Sequence, residues 1–170
     1  MKKLIMAMLM FVGLIVAVSV ILVTSSYLRC GYIPVHETKP EQLELVYGNP
    51  EYIKNVCAYK EGSDGIVVYF TLADAQGKTI ACNSGTVTIN IFEGEKEIFT
   101  FSLIVSKDYF QKATVGLGSF QREVVACCLG RLKYSVLGCK PSGWGKVEIR
   151  FWKPVEMGGE ILTGEDTLLF

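Results

Sequence analysis

The 170-residue chain has one histidine, His36, no CxxC pair, no N-x-S/T sequon and no block of like charge. Each absence removes a class of function. A lone histidine cannot supply the two-histidine, one-cysteine set of a blue-copper site. A Ser-His-Asp or Cys-His nucleophile would have to recruit His36 from a proline-containing stretch, a poor seat for a preorganised base. Without CxxC there is no spacing that depresses a thiol pKa for redox work. A zinc set of Cys82, Cys127, Cys128 and Cys139 lacks paired knuckle spacing. Gly116-Leu117-Gly118 and Gly143-Trp144-Gly145 do not have the spacing of a phosphate cradle. Asp64, Asp74, Asp108, Glu165 and Asp166 all sit beside predicted turns, where solvated carboxylates belong. Neither a catalytic constellation nor a cofactor or metal site is expected, and the reading is non-enzymatic.

Basic and acidic residues number 17 each. Two of the lysines, Lys2 and Lys3, precede a long apolar run, so the remainder carries 15 basic against 17 acidic residues, a net of minus two. A body this close to neutrality, with its charges interspersed, has no field to gather nucleic-acid phosphates, and no nucleic-acid partner is expected.

What the chain does have is concentrated hydrophobicity. Leu4 to Val23 contains eighteen apolar residues in twenty and no charge. At a rise of about 1.5 Å per residue that is long enough to cross a bilayer, and longer than the ~7–15 residues of a signal-peptide core. The flanking Lys2 and Lys3 predict the N-terminus inside and the body outside. Tyr27 and Tyr32 read as interface aromatics, with Arg29 at headgroup level. The expected organisation is a signal anchor over 1–25, a stalk containing prolines over 26–50, and an extracytoplasmic domain over 51–170. In the cytoplasmic-membrane reading, residues 4–23 make the membrane contact. The alternative is secretion after cleavage near Ser25.

Beyond Pro50 period-two alternation dominates, the signature of strands. Ile66, Val68, Phe70 and Leu72 alternate with Val67, Tyr69, Thr71 and Ala73, so both faces are partly apolar. Val87, Ile89 and Ile91 form a second strand, and Phe99, Phe101, Leu103 and Val105 a third, joined around Gly94. Further strands are expected at 122–129, 131–137, 146–152 and 160–170, with a weaker one at 52–59. Gly130 reads as a hairpin. Seven or eight strands with frequent turn signals and no long amphipathic helix predict an all-β antiparallel sandwich of immunoglobulin- or fibronectin-like type.

Six cysteines follow the apolar run: Cys30, Cys57, Cys82, Cys127, Cys128 and Cys139. In an oxidising compartment they are candidate disulfide partners, with fifteen complete pairings open. Cys127 and Cys128 are adjacent, and neighbours on a strand point to opposite faces, so they should take separate partners. Cys139 is a candidate for the outward one. Cys57 and Cys82 are candidates for the others, which leaves Cys30 unpaired or paired near the membrane. Trp144, set between glycines, is a candidate interface aromatic.

The expected function is a membrane-anchored binding or accessory module with a protein partner. The alternatives are a filament or surface-layer subunit, whose helix-then-β layout resembles pilins but lacks the small residue after Lys3 that prepilin processing needs, and an extracytoplasmic thiol-redox protein.

Overall fold

The computed structural model describes residues 45–115 and 122–170, and these form nine strands. They are β1 (Tyr52–Glu61), β2 (Gly65–Ala73), β3 (Thr79–Ile80), β4 (Ser84–Glu93), β5 (Lys96–Ser106), β6 (Phe110–Val115), β7 (Arg122–Lys133), β8 (Trp144–Trp152) and β9 (Ile161–Leu169). A one-turn helix, α1 (Tyr134–Leu137), lies between β7 and β8. Every strand pairing is antiparallel. The first sheet runs β1-β2-β7-β6, with β3 added to β2, and the second runs β5-β4-β8-β9. The all-β, two-sheet expectation holds. The N-terminal helix expected over 4–23 lies outside the described residues, and among the described residues no helix is long and apolar enough to cross a membrane.

The core follows from alternation. Ile66, Val68, Phe70 and Leu72 of β2 face Val87, Ile89 and Ile91 of β4 and Val147, Ile149 and Phe151 of β8, in one cluster between the sheets. The Phe70 and Phe151 rings meet across it at 6.1 Å between centroids, tilted by 52°. At one edge the layers close on each other. The Ala58 amide of β1 donates to Asp166 Oδ2 of β9 at 3.0 Å. There Gly164 has no room for a side chain, because a Cβ would meet Ile53 and Val56 methyls at 2.8 Å.

Three expectations need correction. Residues 122–129 and 131–137 are not separate strands about a hairpin. Val67 pairs with Arg131 and Tyr69 with Cys128, so Leu129 and Gly130 together oppose Val68, and β7 continues through a bulge. Gly130 takes φ +79°, a left-handed conformation that serves a bulge as readily as a turn. Residues 134–137 are then helix. Strand β6 was absent from the expected set, because in Phe110-Gln111-Lys112-Ala113-Thr114-Val115 the alternation is too weak to mark an edge strand. The C-terminal end of the expected stalk also belongs to the body: Tyr47 bridges Ala81, and the buried Pro50 gives its carbonyl to Lys153 Nζ at 3.2 Å.

Candidate functional site: the outer face of the first sheet

The two outer faces differ in chemistry. The second sheet presents polar side chains across its middle, with Ile104, Trp152 and Ile161 exposed at one end and Trp144 and Leu169 at the other. Thr88 and Ser102 hydroxyls are 2.9 Å apart, Thr100 donates to Asn90 Oδ1 at 2.7 Å, and Glu148 pairs with Arg150 at 2.7 Å. Lys146 adds a pair with Glu165 at 3.3 Å. This is the solvated side usual for an antiparallel sheet.

The first sheet is apolar on its outer face as well. All nine residues of β2 are buried, so Val67, Tyr69, Thr71 and Ala73 are as inaccessible as the residues facing the core. Cys57, Val67, Tyr69, Ala113, Val124 and Ala126 form a second buried cluster, with Tyr59 and Cys128 packed against it. Tyr59 and Tyr69 meet edge to face with centroids 6.4 Å apart.

At the end of this face nearest the β1–β2 turn lies a depression of about 510 Å³. Its apolar and aromatic lining comes from Tyr59, Val67, Tyr69, Tyr109 and Cys128. Glu61, Asp108, Gln111 and Arg131 supply the polar groups. Arg131 is held by Glu61 Oε2 at 3.4 Å, by the Glu61 carbonyl at 3.1 Å, and by Asp64. Because the bulge sets Arg131 one residue out of register with Cys128, the guanidinium stands at the rim beside the aromatic floor. A pocket with an apolar floor and a few placed polar groups has the make-up of a binding site.

Two of its groups, Tyr69 and Cys128, hold their protons more tightly than usual. Burial, with smaller contributions from Tyr59, Cys128 and Asp166, raises the Tyr69 pKa. Burial also pushes the Cys128 thiol up, against the opposing hydrogen bond from Gln111 Nε2 at 2.9 Å. A thiol raised in this way is a poor nucleophile. Cys127 and Cys82 are pushed up as well, again chiefly by burial. Among the described residues no group of three or more His, Cys, Asp or Glu side chains could hold a metal ion.

The cysteines fall on several surfaces. Cys127 lies in the core between the sheets and Cys128 on the outer face, the opposed placement that strand geometry requires. The disulfides expected among Cys82, Cys127, Cys128 and Cys139 do not form, and all four are free thiols. Cys82 is buried with its thiol on the Ser84 carbonyl at 2.9 Å, whereas Cys139 is exposed beyond α1. With no hairpin at Gly130, nothing folds Cys139 back along Cys128. Cys57 is disulfide-bonded and does not titrate. Cys30 lies outside the described residues. Trp144 opens β8 with 58% of its surface exposed, remote in register from the depression.

The depression itself is not legible in the sequence. The available signal was the double-sided apolar character of β2 together with tyrosines at 59, 69 and 109, and it needed the strand pairing to bring these together. No protein family matches the chain, and no curated protein matches it. Among solved structures, the solution structure of AT1g01470 from Arabidopsis Thaliana is similar at a TM-score of 0.32 and 10% identity, over 85% of this chain and 96% of that one.

Proposed function

We propose that the protein is a non-enzymatic, membrane-anchored module that presents an immunoglobulin-like sandwich outside the cytoplasmic membrane and binds a protein partner through the depression on its first sheet. The observation that carries this reading is the contrast between the two outer faces. One has hydroxyls and ion pairs across its middle and single apolar side chains standing out at its ends, and the other is an aromatic hollow edged by Arg131 and two acids. Aromatic side chains and arginine are the residue types enriched where proteins meet. The raised Cys128 and Tyr69 pKa values favour recognition over thiol or phenolate chemistry.

The strand order supports the immunoglobulin-like assignment. In sequence order, β1-β2-β7-β6 corresponds to the A-B-E-D sheet, and β5-β4-β8-β9 to a C′-C-F-G sheet. The Phe70–Phe151 ring contact joins the strands that an inter-sheet disulfide bridges in antibody domains. The membrane assignment rests on the uncharged run Leu4 to Val23 behind Lys2 and Lys3.

The test is photo-crosslinking in native membranes, with a photoreactive residue at Gln111 in the depression or at Thr100 on the polar face. Specific adducts with a different protein are expected from position 111 and not from position 100. Equal yields from both positions, or none from 111, would remove the depression as the binding surface. Protease access to the body from the outer side checks the topology separately.

A further inference from the structure

At one side of the sandwich β1 and β9 close on each other, but at the other β5 has a single neighbour: among the described residues it pairs with β4 alone. An open edge is a template for further pairing, and natural edges are commonly blunted by charge or proline. From Ile98 to Ser106, β5 has no charge, no proline and no glycine. The other open edge, β6, carries Lys112 within its six residues. A bulge lies at the start of β5, where Ile91 pairs with Phe99 and Phe92 with Glu97, and beyond it Phe99 to Ser106 run along β4 without interruption. This edge also shows apolar surface. Phe101 shares the inward face with Leu103 and the buried Val105 and stacks on Phe99 at 6.3 Å between centroids, yet it is 45% exposed. Ile104, on the outward face, is 75% exposed.

The charges stand at the two ends of the neutral stretch, in an order that fits the strand to itself. Lys96 and Glu97 precede it, Lys107 and Asp108 follow it, and all four are exposed. We propose that β5 pairs antiparallel with β5 of a second copy of this chain, about a two-fold axis at Ser102, joining the two second sheets edge to edge. Residues 96 and 108, like 97 and 107, are equidistant from 102, so Lys96 approaches the partner's Asp108 and Glu97 the partner's Lys107. Two-fold symmetry makes each pair twice. A parallel pairing in register would set Lys96 on Lys96 and Glu97 on Glu97, which like-charge repulsion disfavours. Between the charges, Phe101 faces the partner's Leu103 and Phe99 the partner's Val105, so the inward apolar row continues across the seam and the exposed ring is covered. On the outward face, Thr100 meets the partner's Ile104. Phe99 to Ser106 makes a seam about 27 Å long at ~3.4 Å per residue. One strand pair lies at the small end of protein interfaces, so the dimer is reversible and depends on concentration.

Sedimentation velocity of the full chain in mild detergent, over a wide range of concentration, measures the association, and a photoreactive residue at Thr100 reads its geometry. A monomer–dimer equilibrium is expected, with adducts from position 100 that join two copies of the chain. Glu97→Lys and Lys107→Glu should each weaken association about tenfold, because an attraction becomes a repulsion at two symmetric places. The double reversal should restore it to within about twofold, a rescue that association through any other surface would not give. Asp108 also stands at the rim of the depression and is left unchanged. Ser102→Lys sets two ammonium groups together at the axis and should leave only monomer, with a circular-dichroism spectrum matching the parent. A chain that stays monomeric at every concentration overturns the inference, as do single reversals without effect or a double reversal no better than either. Adducts from position 100 with a different protein in place of a second copy overturn it too. Adducts from position 111 and protease access read the depression and the topology instead, so the proposed function stands or falls separately.

Discussion

Replacing Gly145 with alanine should be among the most damaging single-methyl changes in the domain. Gly145 is the second residue of β8, paired with Glu93 on one side and Leu168 on the other. Its φ is not positive, so its need for glycine is purely spatial. A Cβ there would fall 2.8 Å from Phe170 Cζ, and nearer still to Phe170 Cε2 and the Phe92 carbonyl oxygen. Phe170 is 8% exposed, and its amide donates to the Gly143 carbonyl at 2.9 Å, so the ring is fixed at its backbone as well. Turning the ring off its rotamer costs about 0.5–1.5 kcal/mol, and expelling it from the core about 1.5–3 kcal/mol. The clash with a backbone carbonyl adds a local shift of the β4–β8 pairing, for which overpacking costs of about 1–3 kcal/mol are the guide. Lower unfolded-state entropy returns roughly 0.4–1 kcal/mol. The net is about 2–4 kcal/mol of destabilisation, or a fall in Tm on the order of 10 °C for a domain of this size. Thermal unfolding of the full chain in detergent, followed by circular dichroism in the β-sheet band, measures it. Phe170→Ala in the Gly145→Ala background should recover the ring's share but not the carbonyl's. A Gly145→Ala protein within about 0.5 kcal/mol of the parent, the range of an ordinary surface change, would refute the packing of the C-terminal ring on β8.

Stability should fall on the alkaline side. Cys82, Cys127, Cys128 and Tyr69 all have pKa values raised chiefly by burial, so the folded state holds these protons to higher pH than the unfolded chain does. The contribution is complete below the unfolded thiol value of about 9 and is lost as pH climbs through the folded values, at up to about 1.4 kcal/mol per pH unit for each group. Urea midpoints at pH 7, 9 and 10.5 should decline in that order, and constant midpoints would contradict the burial of the thiols. The Lys153–Glu160 pair should respond asymmetrically. Lys153 Nζ sits 2.6 Å from Glu160 with its side chain 2% exposed, while Glu160 is 65% exposed. Glu160→Gln strands a buried ammonium with the Pro50 carbonyl, whereas Lys153→Met leaves a carboxylate that water can hydrate. Glu160→Gln should therefore cost about 1–2 kcal/mol more than Lys153→Met in denaturant titrations, and the reverse order would show that the ammonium is solvated.

Local alternation made most of the sandwich legible from residues alone. The pattern Val147, Ile149, Phe151 against Lys146, Glu148, Arg150 specified β8 and its inward face, because side chains alternate by geometry whatever the strand's neighbours are. The same rule placed Cys127 and Cys128 on opposite faces. It could not say which cysteines are neighbours, since that depends on register across strands far apart in sequence. Nor could it tell a hairpin from a bulge at Gly130, because both use a glycine at positive φ and differ only in whether the chain afterwards rejoins β2. Strand β6 is not legible in the residues because an edge strand has only one neighbour to satisfy and tolerates a mixed pattern.

The sequence by itself determined an all-β body, a charge-free apolar run ahead of it, a single histidine and no CxxC pair. These are local or compositional properties. Only the tertiary structure decided that Tyr59, Tyr69 and Tyr109 share one hollow with Arg131 at its rim, that four thiols stay free, and that one sheet is apolar on both sides. Each of those follows from pairing between distant strands, where a shift of one residue exchanges the two faces and no local pattern records the partner.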